Sequence, residues 1–478
     1  MMLTEDASAV MLNRGRREVL SGYFSAGEAT FYRLAAQPDG VPAAYHHLAT
    51  TSILRVLLFD RPEDYETFFE RSDSLREALA GQGPSRGKTY LSAETDFQRS
   101  IAWTKKGNYV RAAMAAVSAY RAMSGLLEAD STFFEAYKTL GIVHTALGTL
   151  PRRYRRFLSV FGFETNIEIG LNQLEKAASS SVYGKEESLL FLAALDSFEL
   201  PSRVEASSTL DALRLRYDQS PLFGMVQADV LLRNRRVAEA EAVLDSLPRG
   251  IPGQVQLDYL RFYRADADFK QERWREAAAG YGGYLDSHRG TALIAVASLG
   301  EGQALEMAGR RAEAEVAYRR VVATREYDSD EASARLARSR LERPMDEDEK
   351  TLLRARMSHD RGDYPRADSL LAALALRVPA GSENLRAEIA YRRGRTLDES
   401  GRTSEALEQY ALGIANPGDP AAKWAAYGLY YTGRVHERSG RFQLARQFYT
   451  AVVDYKPPYD YQGTNEQRAR FALERLGS

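Results

Sequence analysis

Small and large apolar residues recur along this chain at helical spacing. A small residue is followed four positions later by a large one at Gly27/Phe31, Gly170/Leu174, Ala206/Leu210, Ala240/Leu244 and Ala277/Tyr281. The same pattern returns at Ala314/Tyr318, Ala367/Leu371, Ala406/Tyr410 and Ala445/Tyr449, with a looser match at Ala112/Ala116. Positions four apart share one face of a helix. Small-then-large suits a face where a second helix crosses closely and the next turn fills the remaining gap. From Gly170 onward the small residues stand 36, 34, 37, 37, 53, 39 and 39 positions apart. No period-two segment interrupts them, so the chain reads as helical almost throughout.

The spacing predicts a unit of two helices, repeated. Gly309, Gly362, Gly401 and Gly440 fall where the first helix of a unit must turn, a left-handed position that suits glycine. The step of 53 holds one extra helix, about residues 330–341, ended by Pro344. Pro42–Phe59 reads as a long apolar helix, with Asp60 as N-cap of the next one. Asp419-Pro420 opens the last full unit and Pro457 closes it. Thr464 and Gln467 spell a capping box for a polar terminal helix, Asn465–Leu476. The expected divisions are irregular helical repeats over 1–130, an interrupted repeat over 131–200, and repeats over 201–326. A boundary helix over 327–345, repeats over 346–457 and a capping helix over 458–478 follow.

The interrupted repeat is the most particular stretch. Tyr137-x₂-Leu140-Gly141 begins a unit, and Gly170-x₃-Leu174-x₂-Ala177 completes it late. Between them lies a basic, aromatic helix over 151–163, carrying Arg152, Arg153, Arg155, Arg156, Phe157 and Phe161. Two readings fit it. The apolar residues fill a cavity of the array, or the helix lies on anionic lipid with its arginines at the headgroups.

These units resemble tetratricopeptide repeats, whose signature is W-x₂-L-G-x₂-Y, then A-x₃-F, then P. Phe134-x₂-Tyr137-x₂-Leu140-Gly141, the inserted helix, Phe161-Gly162-Phe163, Ile169-Gly170-Leu171 and Leu189–Leu192 resemble a narrower branch. That branch includes eukaryotic outer-membrane and inclusion-associated proteins and envelope proteins of Bacteroidota. The resemblance implies an all-α, right-handed α-α superhelix, a TPR-like solenoid of about ten to twelve helix pairs. It implies an interaction role, sometimes near membranes, and no catalytic residue.

Composition narrows the function. The net charge is −1, which argues against bulk nucleic-acid binding and its basic footprint. The arginine-rich, lysine-poor balance fits a GC-rich bacterial genome. There is no cysteine, so disulfides, thiolate metal sites and cysteine nucleophiles are excluded. His46 and His47, adjacent on a helix, point about 100° apart and make a poor chelate; both are expected to be partly exposed. No apolar run approaches the roughly 20 residues that a membrane span needs. The start lacks the apolar core of a leader peptide, so the chain reads as soluble: cytoplasmic as written, or periplasmic if a leader has been removed.

Three motifs dissolve on inspection. Gly83-Pro84-Ser85-Arg86-Gly87-Lys88-Thr89 resembles a phosphate loop, but Gln82 stands where its first glycine belongs, and the preceding residues are helical. Arg361-Gly362-Asp363 spells an integrin tripeptide at an expected helix turn. Carboxylate pairs abound without any one being singled out as an acid-base couple. The chain reads as a non-enzyme without cofactor or metal.

Register supplies the candidate site. Aligning the units places Arg356, Arg395 and Arg434 at one position in three successive repeats, 39 residues apart. In this repeat architecture that position faces the concave groove, beside Tyr391, Tyr427 and Tyr430. The wall suits a protein or extended peptide, with arginine taking carboxylates and tyrosine giving rigid contact area. Local pairing with Asp398 and Glu437, three residues on, is the competing role for Arg395 and Arg434. A membrane-peripheral assembly factor using the inserted helix is the alternative function.

Overall fold

The computed structural model describes residues 7–37, 40–148, 167–196, 205–324, 328–379, 381–419, 422–456 and 458–477. Among the described residues there are helices and no strands. The first ten are α1 (Ala7–Leu20), α2 (Phe24–Ala35), α3 (Val41–Phe59), α4 (Pro62–Ala80), α5 (Arg86–Lys105), α6 (Tyr109–Ala129), α7 (Glu135–Gly148), α8 (Ile167–Ser180), α9 (Lys185–Asp196) and α10 (Ala206–Arg216). Next come α11 (Pro221–Arg233), α12 (Val237–Ser246), α13 (Tyr259–Lys270) and α14 (Trp274–Ser287). The rest are α15 (Ile294–Met307), α16 (Arg311–Ala323), α17 (Asp328–Glu342), α18 (Glu347–Asp360), α19 (Tyr364–Arg377), α20 (Glu383–Glu399), α21 (Thr403–Ala415), α22 (Trp424–Arg438), α23 (Phe442–Asp454) and α24 (Gln462–Gly477).

The chain forms two compact units. One comprises residues 1–231, 242–260 and 287–292; the other comprises 232–241, 261–286 and 293–478. Within the first, α1 packs on α2, α3 on α4, α5 on α6, α7 on α8 and α9 on α10. Within the second, α15 packs on α16, α18 on α19, α20 on α21 and α22 on α23. Where a short turn joins them, such partners form antiparallel hairpins. The fold is a TPR-like helical repeat, all-α as the residue pattern predicts.

One contact explains the pattern. In α22 a β-carbon on Gly433 would stand 2.7 Å from the Tyr449 ring of α23. A β-carbon on Gly394 would likewise stand 2.6 Å from the Tyr410 ring. Gly302 meets Tyr318 and Gly15 meets Phe31 in the same way. In all four, the glycine precedes its aromatic partner by sixteen positions. The missing side chain lets the ring bury itself against helix backbone, and Tyr318, Tyr410 and Tyr449 are wholly buried. In the interrupted repeat Gly141 meets Leu174, thirty-three positions on. The hairpin contact survives the seventeen extra residues between them.

The tyrosine hydroxyl is the polar half of this contact. Tyr318 donates to Glu306 at 2.7 Å and Tyr449 to Glu437 at 2.6 Å, each acceptor twelve positions back. Burial and the adjacent carboxylate both hold these phenols in the neutral form. At Tyr410 the corresponding residue is Asp398, one methylene shorter, and the buried hydroxyl has no partner among the described residues.

Several expected boundaries move. Asp60 closes α3 in a left-handed conformation, φ 55°, and Arg61 is the N-cap of α4. The Asp60 carboxylate is occupied elsewhere, accepting from Tyr65 and from Thr291 at 2.9 Å and pairing with Lys105 at 3.5 Å. The terminal helix starts at Gln462 rather than Asn465, and Asn465 is buried, its amide donating to the Ala426 carbonyl at 3.1 Å. The last full hairpin opens at Trp424 with Lys423 as N-cap, not at Asp419. Pro420 and Pro457 lie outside the described residues. The helix in the long step, α17, packs on α15 and α16. Gly362 takes φ 84° at the turn between α18 and α19, and Asp363 caps α19 through the Arg366 amide. The phosphate-loop spelling is the start of α5, with Ser85 capping the Lys88 amide.

Candidate functional site

The first helices of successive hairpins in the second unit are neighbours: α18 packs on α20, α20 on α22, and α22 on α24. The register residues fall on these helices, though not as an open row. Arg356 on α18 is half-buried. Arg395 on α20 is buried, with its guanidinium 3.7 Å from the Tyr431 ring centre and 3.1 Å from Glu399. Arg434 on α22 stands over the same ring, 5.4 Å from its centre. Tyr391, Tyr427 and Tyr430 are 7%, 8% and 5% exposed and belong to the aromatic core between the hairpins. Tyr391 packs on Trp424, Tyr427 and Tyr431.

These tyrosines are therefore structure behind the wall rather than a contact surface. A half-buried first-helix position between two hairpins is covered by its neighbours when those neighbours are themselves aromatic. Arg395 keeps a local pair, but with Glu399 four residues on rather than Asp398, and the two carboxylates expected to serve Arg395 and Arg434 pair across hairpins. Asp398 pairs with Arg438, and Glu437 pairs with Arg475 while accepting the Tyr449 hydroxyl.

What the first-helix face does carry is a cationic cluster. Lys423, at the start of α22, lies among three rings: its ammonium is 4.5 Å from Tyr461, 5.4 Å from Trp424 and 5.5 Å from Tyr427. Arg392 of α20 pairs with Glu388 at 2.6 Å and stacks 5.0 Å from Trp424. Burial pushes the Lys423 ammonium down to about 7, helped by Arg392, Arg356 and Arg468 and opposed by Glu388. Burial and Arg392 likewise push Arg356 down to about 10, with Glu388, Asp360 and Tyr461 opposing. Among the described residues neither Arg356 nor Lys423 has a carboxylate within ion-pair distance. The neighbouring Arg392, Arg393, Arg395 and Arg402 all do.

Of this cluster, only Arg356 was marked by the sequence pattern. Lys423, Trp424, Arg392, Tyr461 and Arg468 come from three elements spread over some seventy positions. The one local signal is the run Arg392-Arg393-Gly394-Arg395, dense in charge beside a crossing glycine.

The first unit holds a second polar centre, a small cleft of about 50 Å³ lined in part by Arg16, His46, His47, Lys138, Glu186 and Glu187. Lys138 is buried between Glu94 and Glu187, 2.6 Å from each. These carboxylates overcome the burial penalty and keep the ammonium charged. His46 is 8% exposed, not partly exposed as its surface-helix pattern suggests. Burial pushes its imidazole down to about 4, with Glu94 opposing and Lys138 assisting. The carboxylate of Glu135 caps the start of α9, accepting from the Val182 amide at 2.7 Å and the Ser181 hydroxyl at 2.6 Å.

The inserted-helix residues Arg152, Arg153, Arg155, Arg156, Phe157 and Phe161 lie outside the described residues. No helix among the described residues is long and apolar enough to cross a membrane. Among the described residues no group of three or more histidine, aspartate or glutamate side chains is placed to hold a metal ion.

No protein-family model matches the chain, and no curated protein matches it. Among solved structures it is similar to a tetratricopeptide repeat protein from Parabacteroides merdae, at 14% identity and a TM-score of 0.27. That match covers 60% of this chain and 98% of the other. Human IFIT1, solved as a dimer with m7Gppp-AAAA, aligns at 13% identity and a TM-score of 0.33, over 95% of this chain and 96% of its own. The APC/C hetero-tetramer Cut9-Hcn1 aligns at 12% identity and a TM-score of 0.28, over 99% and 97%.

Proposed function

We propose that the chain is a binding scaffold whose first-helix face, over α18, α20, α22 and the start of α24, receives an extended acidic segment of a partner protein. The observation that supports this reading is charge left without a local answer. Arg356 and Lys423 stand on that face with no carboxylate partner among the described residues, whereas the arginines around them are ion-paired. A half-buried cation without a counter-ion costs free energy in the unbound protein. A ligand carboxylate that supplies the counter-ion recovers it, so the arrangement favours association over self-sufficiency.

In this reading Tyr391, Tyr427, Tyr430 and Arg395 hold the wall rigid, and Arg434 extends it along α22. A preorganised wall lowers the ordering cost of binding. The test is fluorescence anisotropy with a labelled poly-glutamate peptide and the full chain. The expected result is saturable binding that Arg356→Ala and Lys423→Gln each weaken about tenfold, roughly 1.4 kcal/mol, with thermal unfolding no lower than the parent's. Undiminished binding by the double variant at low salt, where surface electrostatics are strongest, overturns it.

A further inference from the structure

We propose that the Lys423 site takes a phosphate monoester carried on that segment, a phosphoserine or phosphothreonine side chain, in preference to a carboxylate. The inference rests on the scaffold reading and deepens it.

The donors decide between the two anions. They approach from separate helices: Arg356 from α18, Arg392 from α20 and Lys423 from the start of α22, with Arg468 of α24 close enough to repel the ammonium. A carboxylate is planar, and one guanidinium fork satisfies both of its oxygens. A phosphate monoester offers three strong acceptor oxygens and close to two negative charges. Arg356 and Lys423, on separate helices and without a carboxylate partner among the described residues, offer the second shape more than one cation, beside Arg392, which Glu388 already answers in part.

The aromatic residues fit the same occupant. Tyr461, Trp424 and Tyr427 hold the Lys423 ammonium through their ring faces without neutralising it. The charge stays available for a ligand. Glu388 of α20 and Asp360 of α18 lie near enough to Arg356 to oppose the lowering of its pKa, and Glu388 does the same for Lys423, so the cations do not stand in an unbroken positive field. A continuous polyanion such as an RNA backbone would meet these carboxylates as well as the cations. A dianion also offsets the burial, and after it the repulsion from Arg392 and Arg356, that push the ammonium toward its neutral form, so binding takes up a proton at mildly alkaline pH.

The experiment uses isothermal titration of the full chain with a short glycine-flanked phosphoserine peptide. The same peptide carrying serine or glutamate, inorganic phosphate and a 5′-phosphorylated single-stranded RNA are the comparison ligands. The expected result is that the phosphopeptide binds at least about tenfold more tightly than the glutamate peptide and every other probe. Arg356→Ala and Lys423→Gln should each remove most of that preference. Lys423→Arg should keep the binding and abolish the proton uptake, read from two buffers of different ionisation heat. Thermal unfolding of each variant establishes that the fold is intact.

Equal binding of glutamate and phosphoserine peptides, both weakened by Arg356→Ala, overturns the phosphate inference and leaves the acidic-segment reading standing. Tighter binding of the RNA, or of inorganic phosphate alone, overturns the phosphopeptide as occupant. No binding of either peptide overturns both.

Discussion

The ring of Tyr449 lies against Gly433 so closely that a β-carbon there would stand 2.7 Å from it. Gly433→Ala therefore forces the ring or the helix to move. Overpacking of this kind costs about 1–3 kcal/mol, offset in part by alanine's better helix propensity. Chemical denaturation should show a lower midpoint with an unchanged slope. A variant as stable as the parent would mean that the hairpin yields freely at this crossing.

The neighbouring hairpin carries the same contact with a fault in it. Tyr410 is buried with its hydroxyl unsatisfied among the described residues, and Asp398 stands where Tyr318 and Tyr449 have glutamates. Asp398→Glu should supply the acceptor and raise stability by about 1 kcal/mol. The converse change, Glu437→Asp, should orphan the Tyr449 hydroxyl and cost about 1–3 kcal/mol. Unfolding free energies of the two variants, moving in opposite directions, check both.

Arg395 is expected to matter for stability. It is buried against Tyr431 and paired with Glu399, which also meets Arg235 at 3.2 Å. Arg395→Ala removes a desolvated cation–π contact and one of two counter-ions of Glu399. A loss of about 2–4 kcal/mol follows. A surface ion pair would cost under 1 kcal/mol, and equilibrium unfolding separates the two.

His46 makes stability depend on acid. Its imidazole titrates at 6.5 in the unfolded chain and at about 4 in the folded one, chiefly because it is buried. Between those values the unfolded state holds more protons, so stability is full above pH 6.5 and falls as pH drops toward 4. The loss is on the order of 3 kcal/mol. His46→Gln should flatten that part of the stability profile, measured by denaturant titration at several pH values. An unchanged slope would assign the acid sensitivity to other groups.

Lys423 predicts a dependence of the same sign at higher pH. Its ammonium sits at about 7 in the folded chain and 10.5 in the unfolded one, so stability should rise as pH climbs between them. Lys423→Met should remove that rise. Urea midpoints at neutral and alkaline pH report it directly.

The residue pattern alone determined the helices, the hairpin pairing and the small-to-large crossings. All three are local: an apolar face needs only its own spacing, and a hairpin needs only a short turn. Tyr449 is legible in this sense through its spacing from Ala445, whereas its contact with Gly433, sixteen positions back, is a fact of the fold. The pattern also carried Arg356 onto the first-helix face. It did not decide which register residues would be open to a ligand, because that depends on what the next hairpin lays over them. Tyr391, Tyr427 and Tyr430 share helices with Arg356's neighbours yet are covered by other rings, Tyr391 and Tyr427 by each other and Tyr430 by Tyr431 and Tyr449. His46 likewise reads as a surface residue until α5 and α7 bring Tyr90, Glu94 and Lys138 around it. Only the tertiary structure could place Lys423 beside Arg356, Arg392 and Arg468. Charge interacts through space across hairpins, and nothing in the letters between those positions records the distance.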